Sequence, residues 1–596
     1  MARVRRAAAP PGSGAESGQR EPGTLGAVHE LGVESSLVSG SGAPALYRRG
    51  PDRDIPRSFP PQRVRTVAWS PMSRTVPSPS RRALVSGAAS GAAAGAVLAG
   101  AGAAHAGSAY APARYRGHRL LGAQARHLVG RFSYGVTPAL AAQVRAAGGA
   151  RSWFDAQLDP GSVADPGTDG VRDWWPSLSR GATELWQRQR DEVEGVWEVM
   201  FDYQRWVLVR RMRSRRQLLE VMTEFWENHF NVPVNGDAQG LWRTQYGDAI
   251  RAAALGRFED LLQATITHPA MLISLDNVDS AKAHPNENLG RELLELHTVG
   301  RGAYDEDDVK GSARILTGWS VDMWNTFQPV YRRKWHATGP VQVIDFSHPN
   351  ADPDGRAVTE AYLRYLARHP ATARRLARKL AVKFVSDRPP EALVEQLAQV
   401  YLDHDTAIAP VLRALVASAA FTGAVGAKVR DPGEDLVASY RALDVRLAAP
   451  PDGDGGDRYA ANALLWQVDG IGTKPFDWPR PDGQPIDNEA WASPSRLLAS
   501  MDVHLSLAGR WWPTQGAAYH PPAWWVPRFP IRFDLLVDHL SQVLLHRRST
   551  AQLLEACCLA VDVGPRERIT RDHGLVQWNM PRLLTTFLDS PAFLTR

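Results

Sequence analysis

Two segments of the sequence combine carboxylates, amides and a histidine at helical spacing. Residues 220–230 read EVMTEFWENHF, and residues 286–298 read NENLGRELLELHT. Both contain the pattern Glu-x-x-Glu-x-His. Carboxylates and imidazoles bind divalent metals, and they act as general acids and bases in catalysis. These two segments are therefore the first candidates for a functional site.

On a helix, which turns about 100° per residue, the acids and the histidine of each segment lie on different faces. The polar face of the first segment contains Glu220, Glu224, Glu227 and Asn228, and that of the second contains Asn288, Arg291, Glu292 and Glu295. His229 and His297 fall on the opposite sides, among Leu, Phe and Trp. This pattern differs from the Glu-x-x-His ligand set of di-iron helix bundles. Either the helix distorts near its end, or the acids and histidines serve different neighbours.

Three interpretations of these segments remain open. In the first, the acids form exposed or salt-bridged faces, with Arg291 pairing with Glu287 and Glu295, and the histidines are hydrogen-bonded core residues. In the second, the two helices pack together and bury the carboxylates around a divalent metal. In the third, a buried carboxylate–histidine pair performs acid–base chemistry without a metal.

The second segment and several other stretches resemble a bacterial family named domain of unknown function 1800. The stretches that carry the resemblance are residues 120–135, 225–230, 268–272, 285–300, 316–319 and 583–593. The resemblance extends from about residue 118 to residue 594. It implies a mostly helical, exported protein of uncharacterised activity. Family members are often encoded beside a second exported family with an alkaline-phosphatase-like fold, which implies a partner protein of that kind.

Positions that match the family motif define the candidate site. The candidate catalytic residues are Glu287, Arg291, Glu292, Glu295 and His297, and the candidate binding residues are Asn228, His229, Asn286 and Asn288. The candidate metal ligands are Glu292, Glu295, His297 and His229. The cofactor is unknown, and a divalent metal is a possible one.

Helical periodicity dominates from residue 107 onward and predicts an all-α, large and irregular multi-helical domain over residues 107–596, with long loop-rich insertions and little or no strand. Apolar residues recur at helical spacing between 192 and 230. Further helical runs are predicted at 138–158, 246–265, 285–299, 305–317, 357–383, 390–402, 408–420, 434–447, 494–508, 534–545, 549–561 and 579–590. Gly300 is a candidate C-cap and Asp305 a candidate N-cap. Residues 340–346 are the best candidate for a short strand, and 320–356 and 448–493 are predicted to be irregular.

The first 106 residues differ from the rest in composition. Residues 1–71 are rich in Gly, Pro, Ser, Ala and Arg, which predicts a disordered leader or a mis-assigned start. From Met72 the chain has a basic region with Arg81-Arg82, a weakly apolar Ala/Gly/Val stretch, and the cleavage pattern Ala104-His105-Ala106. Residues 72–106 are therefore predicted to be a twin-arginine-type signal peptide, and the mature protein is expected to be secreted or to reside in the cell envelope.

The overall charge does not indicate nucleic-acid binding. The net charge is +6 and the pI about 9.3, but much of the basic excess lies in the first 82 residues. No later segment approaches transmembrane length. The only two cysteines, Cys557 and Cys558, are adjacent, so no structural disulfide is expected.

Two functional hypotheses follow from the sequence. In the first, the protein is an extracytoplasmic, hydrolase-like enzyme whose Glu, Asn, Arg and His residues form a polar centre with or without a divalent metal. In the second, it is a non-catalytic binding or assembly module, and the motif is a polar network that fixes helix register. The partner would then be the exported alkaline-phosphatase-like protein or a cell-envelope polymer. Geometry distinguishes them, because an enzyme needs the acids to converge on an open cleft.

Overall fold

Helices form along the described part of the chain because apolar residues recur every three or four positions. The computed structural model describes residues 112–451 and 459–596. In the helix Pro370–Phe384, for example, Leu376, Leu380 and Phe384 are buried, and Arg374 on another face is exposed. Proline at the first helical position and the His369 side chain, which accepts a hydrogen bond from the Ala371 amide, start this helix. The predicted leader and signal peptide lie outside the described residues.

The helices are distributed over the whole described chain. Up to the second motif segment they are α1 (Ala123–Arg131), α2 (Pro138–Ala146), α3 (Ala150–Gln157), α4 (Ala182–Arg190), α5 (Val196–Arg213), α6 (Gln217–His229), α7 (Asp237–Ala253), α8 (Phe258–Ile266), α9 (Pro269–Ser274) and α10 (Glu287–Glu292). The middle part contains α11 (Glu306–Ile315), α12 (Arg356–Arg368), α13 (Pro370–Phe384), α14 (Glu391–Asp403), α15 (Ile408–Ala417), α16 (Ala419–Gly423) and α17 (Pro432–Ala442). The last part contains α18 (Ala460–Ile471), α19 (Asn488–Trp491), α20 (Pro494–Gly509), α21 (Phe533–Leu544), α22 (Ala551–Val561), α23 (Met580–Leu588) and α24 (Pro591–Leu594).

Strands are short and paired only in twos within the described residues. The antiparallel pairs are β1 (Trp319–Val321) with β2 (Pro329–Tyr331), β3 (Val341–Val343) with β4 (Phe346–His348), β5 (Arg446–Leu447) with β6 (Ala517–Ala518), and β7 (Ile531–Arg532) with β8 (Arg568–Ile569). The all-α prediction is therefore confirmed. The expected short strand at 340–346 is present as β3, which forms a hairpin with β4.

Several predicted helical runs are divided in the structure. The run at 357–383 is two helices, because Pro370 cannot continue α12: it lacks an amide hydrogen and its ring clashes with the preceding turn. The run at 285–299 is α10 followed by a π-helix, Leu293–His297. Asp305 caps α11 as predicted, accepting hydrogen bonds from the amides of Asp307 and Asp308.

One continuous apolar core contains buried residues from α1 to α24. α6 lies inside it and packs against α3, α5 and α7. α10 packs closely on α11 because Gly290 has no side chain: a Cβ there would lie 2.9 Å from the Ala313 amide nitrogen. The two motif segments are thus held at the end of α6 and on the α10–α11 pair.

The core also contains charged groups, of which His504 on α20 is the clearest. Its Nδ1 lies 2.8 Å from an Asp589 carboxylate oxygen, and its Nε2 lies 3.3 Å from one of Asp435. Burial alone would lower the pKa of His504, but the two carboxylates raise it to about 9. The imidazole is therefore charged in the folded protein at neutral pH.

We expect His504→Gln to destabilise the protein at pH 6 by about 2–4 kcal/mol. Because the folded-state pKa lies above the unfolded value, this contribution is fully present below about pH 6.5 and is lost as pH rises through about 9. Urea unfolding at pH 6 and pH 10 measures the difference, with His573→Gln as a control, since His573 pairs with Glu567 at the surface. A difference that stays constant over this range would contradict the assignment.

Candidate functional site

The acids of α6 are paired with guanidinium groups rather than gathered in a cleft. Glu220 and Glu227 are buried, and Glu224 is partly buried. Each carboxylate has at least one guanidinium partner, and the pairs are Glu220 with Arg210 and Arg251, Glu224 with Arg211, and Glu227 with Arg243, at 2.6–3.2 Å. Tyr134 and Tyr203 each add a hydroxyl hydrogen bond of 2.6 Å to one of these carboxylates. Buried carboxylates need such partners because an unpaired buried charge is very costly. The polar face predicted for this helix is therefore a set of internal ion pairs.

Asn228, at the end of the same helix, binds backbone. Its side-chain amide donates to the Gln484 carbonyl at 2.6 Å and accepts from the Gln484 amide at 2.5 Å. This two-point contact fixes the loop that precedes α19 against α6. The side chain uses both its donor and its acceptor on this loop.

Asn286 and Asn288 have different environments. Asn286 is the N-cap of α10: its oxygen accepts from the Asn288 amide at 2.9 Å, and its nitrogen donates to the Asp276 carbonyl at 2.7 Å. The side chain of Asn288 points to solvent and makes no hydrogen bond with the described residues. The first asparagine therefore starts the helix, and the second is free of structural contacts.

Arg291 and Glu287 form a surface ion-pair cluster with Glu306. The Arg291 guanidinium donates to both carboxylate oxygens of Glu306, at 2.7 and 2.8 Å, and to Glu287 at 3.3 Å. The predicted pairing with Glu287 is thus present. Glu295 is instead paired with Arg301 and accepts from the Tyr304 hydroxyl at 2.9 Å. Burial tends to raise the pKa of the Glu295 carboxyl, but the hydrogen bonds from Arg301 and Tyr304 outweigh it, so the pKa is lowered.

Glu292 is the motif acid without an ion-pair partner among the described residues. Its side chain is half-buried. Burial and the neighbouring Glu295 raise its pKa. It makes no hydrogen bond to His297, so the two residues do not form an acid–base pair in this structure.

The π-helix Leu293–His297 ends in a set of carbonyls that are each bonded. Side chains or backbone amides donate to them, and the donors are Thr298 to Leu293, Gly300 to Leu294, Arg375 to Leu296 and His229 to His297. Gly300, predicted as a C-cap, has a φ of 85°, which favours glycine. The residues of the sequence Leu-His-Thr-x-Gly therefore supply the hydrogen bonds and the backbone turn that end the π-helix.

The imidazoles of His229 and His297 each donate a hydrogen bond to the backbone carbonyl of the other residue. Nε2 of His229 donates to the His297 carbonyl at 3.1 Å, and Nδ1 of His297 donates to the His229 carbonyl at 3.0 Å. Both imidazoles are buried, with 1% and 0% of their surfaces exposed. Because a carbonyl only accepts, the hydrogen bonds fix which nitrogen of each ring carries the proton. Each imidazole thus caps the end of the other's helix.

Burial keeps both rings neutral. It lowers the pKa of His297 to about 3, with the Lys379 ammonium adding to the effect, and it lowers the pKa of His229 well below its usual value. Nδ1 of His229 lies 3.1 Å from the Lys379 Nζ. Burial and the nearby Arg375 guanidinium lower the pKa of Lys379 to about 7.

An open cleft of about 640 Å³ adjoins the π-helix. Its charged lining consists of Glu295, Arg301, Arg374, Arg375, Arg378 and Asp482. Arg301, Arg374 and Arg378 are paired with carboxylates. Arg375 donates only to the Leu296 carbonyl and has no carboxylate partner among the described residues. The cleft therefore offers one guanidinium for an incoming anion.

The candidate metal ligands do not converge. Among the described residues, no three His, Cys, Asp or Glu side chains lie in an arrangement that could hold a metal ion. Glu295 faces the cleft, whereas His229 and His297 are buried on the other side of the π-helix with their donor atoms bonded to carbonyls.

Comparison with protein families matches residues 127–595 to the family described as "Protein of unknown function (DUF1800)". The chain belongs to this family. The matched region includes both motif segments and nearly all of the described helices. No curated protein and no solved structure matches the chain. Within residues 112–451 and 459–596, no helix is both long enough and apolar enough to cross a membrane.

Lys379 is the residue at the family motif that sequence reasoning missed. The basic run from Arg374 to Lys383 is typical of an amphipathic helix with a solvated face. In the structure only Arg374 of this run is in the exposed class, and Lys383 is buried against Asp431 and Glu434. The position of Lys379 could have indicated its burial, because it directly precedes Leu380 and so lies at the edge of the apolar face of the helix.

The asparagines of the family motif provide a matched pair of variants. We expect Asn286→Ala to reduce the free energy of unfolding by about 0.5–2 kcal/mol, because it removes a helix cap. Asn288→Ala should change it by less than about 0.5 kcal/mol, since its side chain has no contact to lose. Guanidinium chloride unfolding measures both. Equal losses in the two variants would refute the capping role.

Proposed function

We propose that this protein is an exported, non-catalytic binding module and that the family motif is its structural framework. The observation that carries the proposal is the reciprocal hydrogen bonding of His229 and His297. A catalytic imidazole needs a free nitrogen that reaches a substrate. Here each ring uses one nitrogen on a backbone carbonyl inside the core, and Nδ1 of His229 contacts Lys379. The fourth nitrogen, Nε2 of His297, has no hydrogen-bond partner among the described residues, but it is buried in a side chain that is 0% exposed.

The other motif residues support the same proposal. Asn286 caps a helix, Asn228 holds a loop, and Arg291 joins two surface acids. Such roles belong to a framework that fixes helix ends and helix register. They leave Glu292 as the only motif acid without a partner among the described residues, and a single carboxylate does not constitute a catalytic centre.

The binding surface in this proposal is the cleft beside the π-helix. Its volume of about 640 Å³ lies within the usual range for small-ligand sites. Arg375 supplies a guanidinium without a carboxylate partner, and guanidinium groups bind carboxylates and phosphates through paired hydrogen bonds. An acidic group of a cell-envelope polymer fits this chemistry. Export rests on the signal-like sequence of residues 72–106, and an alkaline-phosphatase-like partner is implied only by family membership.

Metal content and stability test the structural role of the motif together. We expect purified wild-type protein to contain no stoichiometric metal and Glu292→Gln/His297→Ala to contain none either. The variant should lose about 2–5 kcal/mol of unfolding free energy, because it opens a cavity and leaves the His229 carbonyl unbonded. Elemental mass spectrometry and urea unfolding provide the two measurements.

The control for this experiment is His284→Ala, which changes an exposed histidine near the motif. It should match the wild type in both measurements. Stoichiometric metal in the wild type that disappears from the double variant would overturn the proposal and favour the enzyme.

A second candidate function is an enzyme centred on Lys379 rather than on the motif acids. The observation that favours it is the contact of the Lys379 amine with Nδ1 of His229 at 3.1 Å, and burial lowers the pKa of this amine to about 7. Deprotonated lysines act as nucleophiles and bases in catalysis. Asp482 and Arg375, which line the cleft, both interact with this amine.

Labelling with an amine-reactive ester tests this candidate. We expect Lys379 to react half-maximally near pH 7, and the exposed Lys310 only at much higher pH, because its pairing with Asp307 raises its pKa. Because the folded pKa of Lys379 is below the unfolded value, the wild type should also gain stability over Lys379→Met as pH rises from 7 to 10. Peptide mapping and thermal unfolding measure the two effects. Identical pH profiles for the two lysines would exclude a low-pKa amine.

A further inference from the structure

A second cavity, outside the two motif segments, is lined by four arginines and by no Asp or Glu side chain. It has a volume of about 70 Å³ and lies between α1, the turn that precedes α2, the end of α21 and the segment that follows α24. Its charged or titratable lining residues are Arg126, His127, Arg430, Arg547 and Arg596, and no Asp or Glu is among the lining residues. Val425, also in the lining, is 46% exposed, so the cavity reaches solvent.

Three of these arginines have nitrogens without a hydrogen-bond partner. Nη1 of Arg430, Nε of Arg547 and Nε of Arg596 are buried, and each lacks an acceptor in the described residues. Arg430 and Arg596 are themselves 6% and 8% exposed. Buried N–H groups are almost always bonded in folded proteins, so three orphaned donors on residues that line one cavity require an explanation.

The acids next to these arginines are already bonded to other cationic groups. Glu434 accepts hydrogen bonds from both Arg596 and Lys383, and Asp431 also pairs with Lys383. Arg131, which is fully buried next to Arg596, has two more nitrogens without acceptors in the described part of the chain. This region therefore buries more positive than negative charge.

The excess of positive charge lowers the pKa values of the buried arginines. Burial and the neighbouring Arg596 lower the pKa of Arg430 to about 10 and that of Arg131 to about 9. Burial and Arg126 lower the pKa of Arg547 as well. A bound anion would offset this repulsion.

We propose that this cavity binds a small tetrahedral oxyanion, either as free phosphate or sulfate or as the terminal group of a phosphomonoester. Guanidinium forks match the oxygens of such anions, and four arginines line the cavity, three of them with an unpaired N–H group. The volume of about 70 Å³ is well below the roughly 300–1,000 Å³ of sites for larger ligands. Only the anionic group itself therefore enters the cavity.

This site is independent of the proposed binding cleft. None of its lining residues belongs to either motif segment. Failure of one assignment would leave the other unaffected.

Calorimetric titration of the full-length protein with inorganic phosphate tests the oxyanion site. Ionic strength is held constant with sodium chloride, and sodium acetate serves as the planar-anion control. We expect saturable phosphate binding to the wild type, a phosphate-dependent rise in melting temperature, and little effect of acetate. Sulfate should compete with phosphate.

The decisive variants are two neighbouring arginines. Arg547→Gln, at the half-buried cavity residue, should weaken phosphate binding at least tenfold. Arg548→Gln removes an exposed arginine that does not line the cavity, and it should bind as the wild type does. If the buried Arg430→Gln does not fold, the Arg547 and Arg548 pair still decides the question.

A titration with glycerol 3-phosphate distinguishes a free anion from the phosphate end of a phosphomonoester as the ligand. Binding as tight as that of inorganic phosphate supports a phosphomonoester end as the ligand, and exclusion of the ester supports the free anion. No saturable binding of either, or equal affinity in the wild type and Arg547→Gln, would overturn the proposal.

Discussion

The exchange of hydrogen bonds between two buried histidines determines how the rest of the motif region is arranged. A helix end leaves carbonyls without intrahelical partners, and a buried carbonyl without a donor destabilises the fold. α6 and the π-helix both end inside the core. Each end is completed by the imidazole of the other, at 3.0 and 3.1 Å. This requirement fixes the distance between the two segments and the tautomer of each ring.

Several other features follow from that constraint. The π-helix turns the last motif residues away from the direction of α10, so that His297 faces the core and Glu295 faces the cleft. Arg375 donates a hydrogen bond to the Leu296 carbonyl and lies in the wall of the cleft. Lys379, one turn further along α13, then meets the remaining nitrogen of His229. The low pKa of this lysine is thus a consequence of the same packing that neutralises the imidazoles.

The sequence predicts the helices well where the apolar period is regular, because burial of one face determines them. It also places the histidines opposite the acids. It does not predict the π-helix, since a single inserted residue in a helical turn leaves no periodic signal. Nor does it identify which arginine neutralises which acid: Arg210 lies near Glu220 in sequence, but Arg243 and Arg251 reach α6 from α7. Arg596 and Arg430 come together with Arg126 only through tertiary packing, so the arginine-lined cavity has no sequence signature.

Pairing of buried charges explains why two regions of this fold differ in character. Around α6, each of the carboxylates of Glu220, Glu224 and Glu227 has at least one guanidinium partner. Near α17, arginines outnumber the acids, and several of their nitrogens have no acceptor in the described residues. Burial penalises an unpaired charge far more than it rewards a pair. A region that retains such an excess therefore has a reason to bind an anion, whereas the carboxylates of α6, each paired with a guanidinium group, have the properties of a framework.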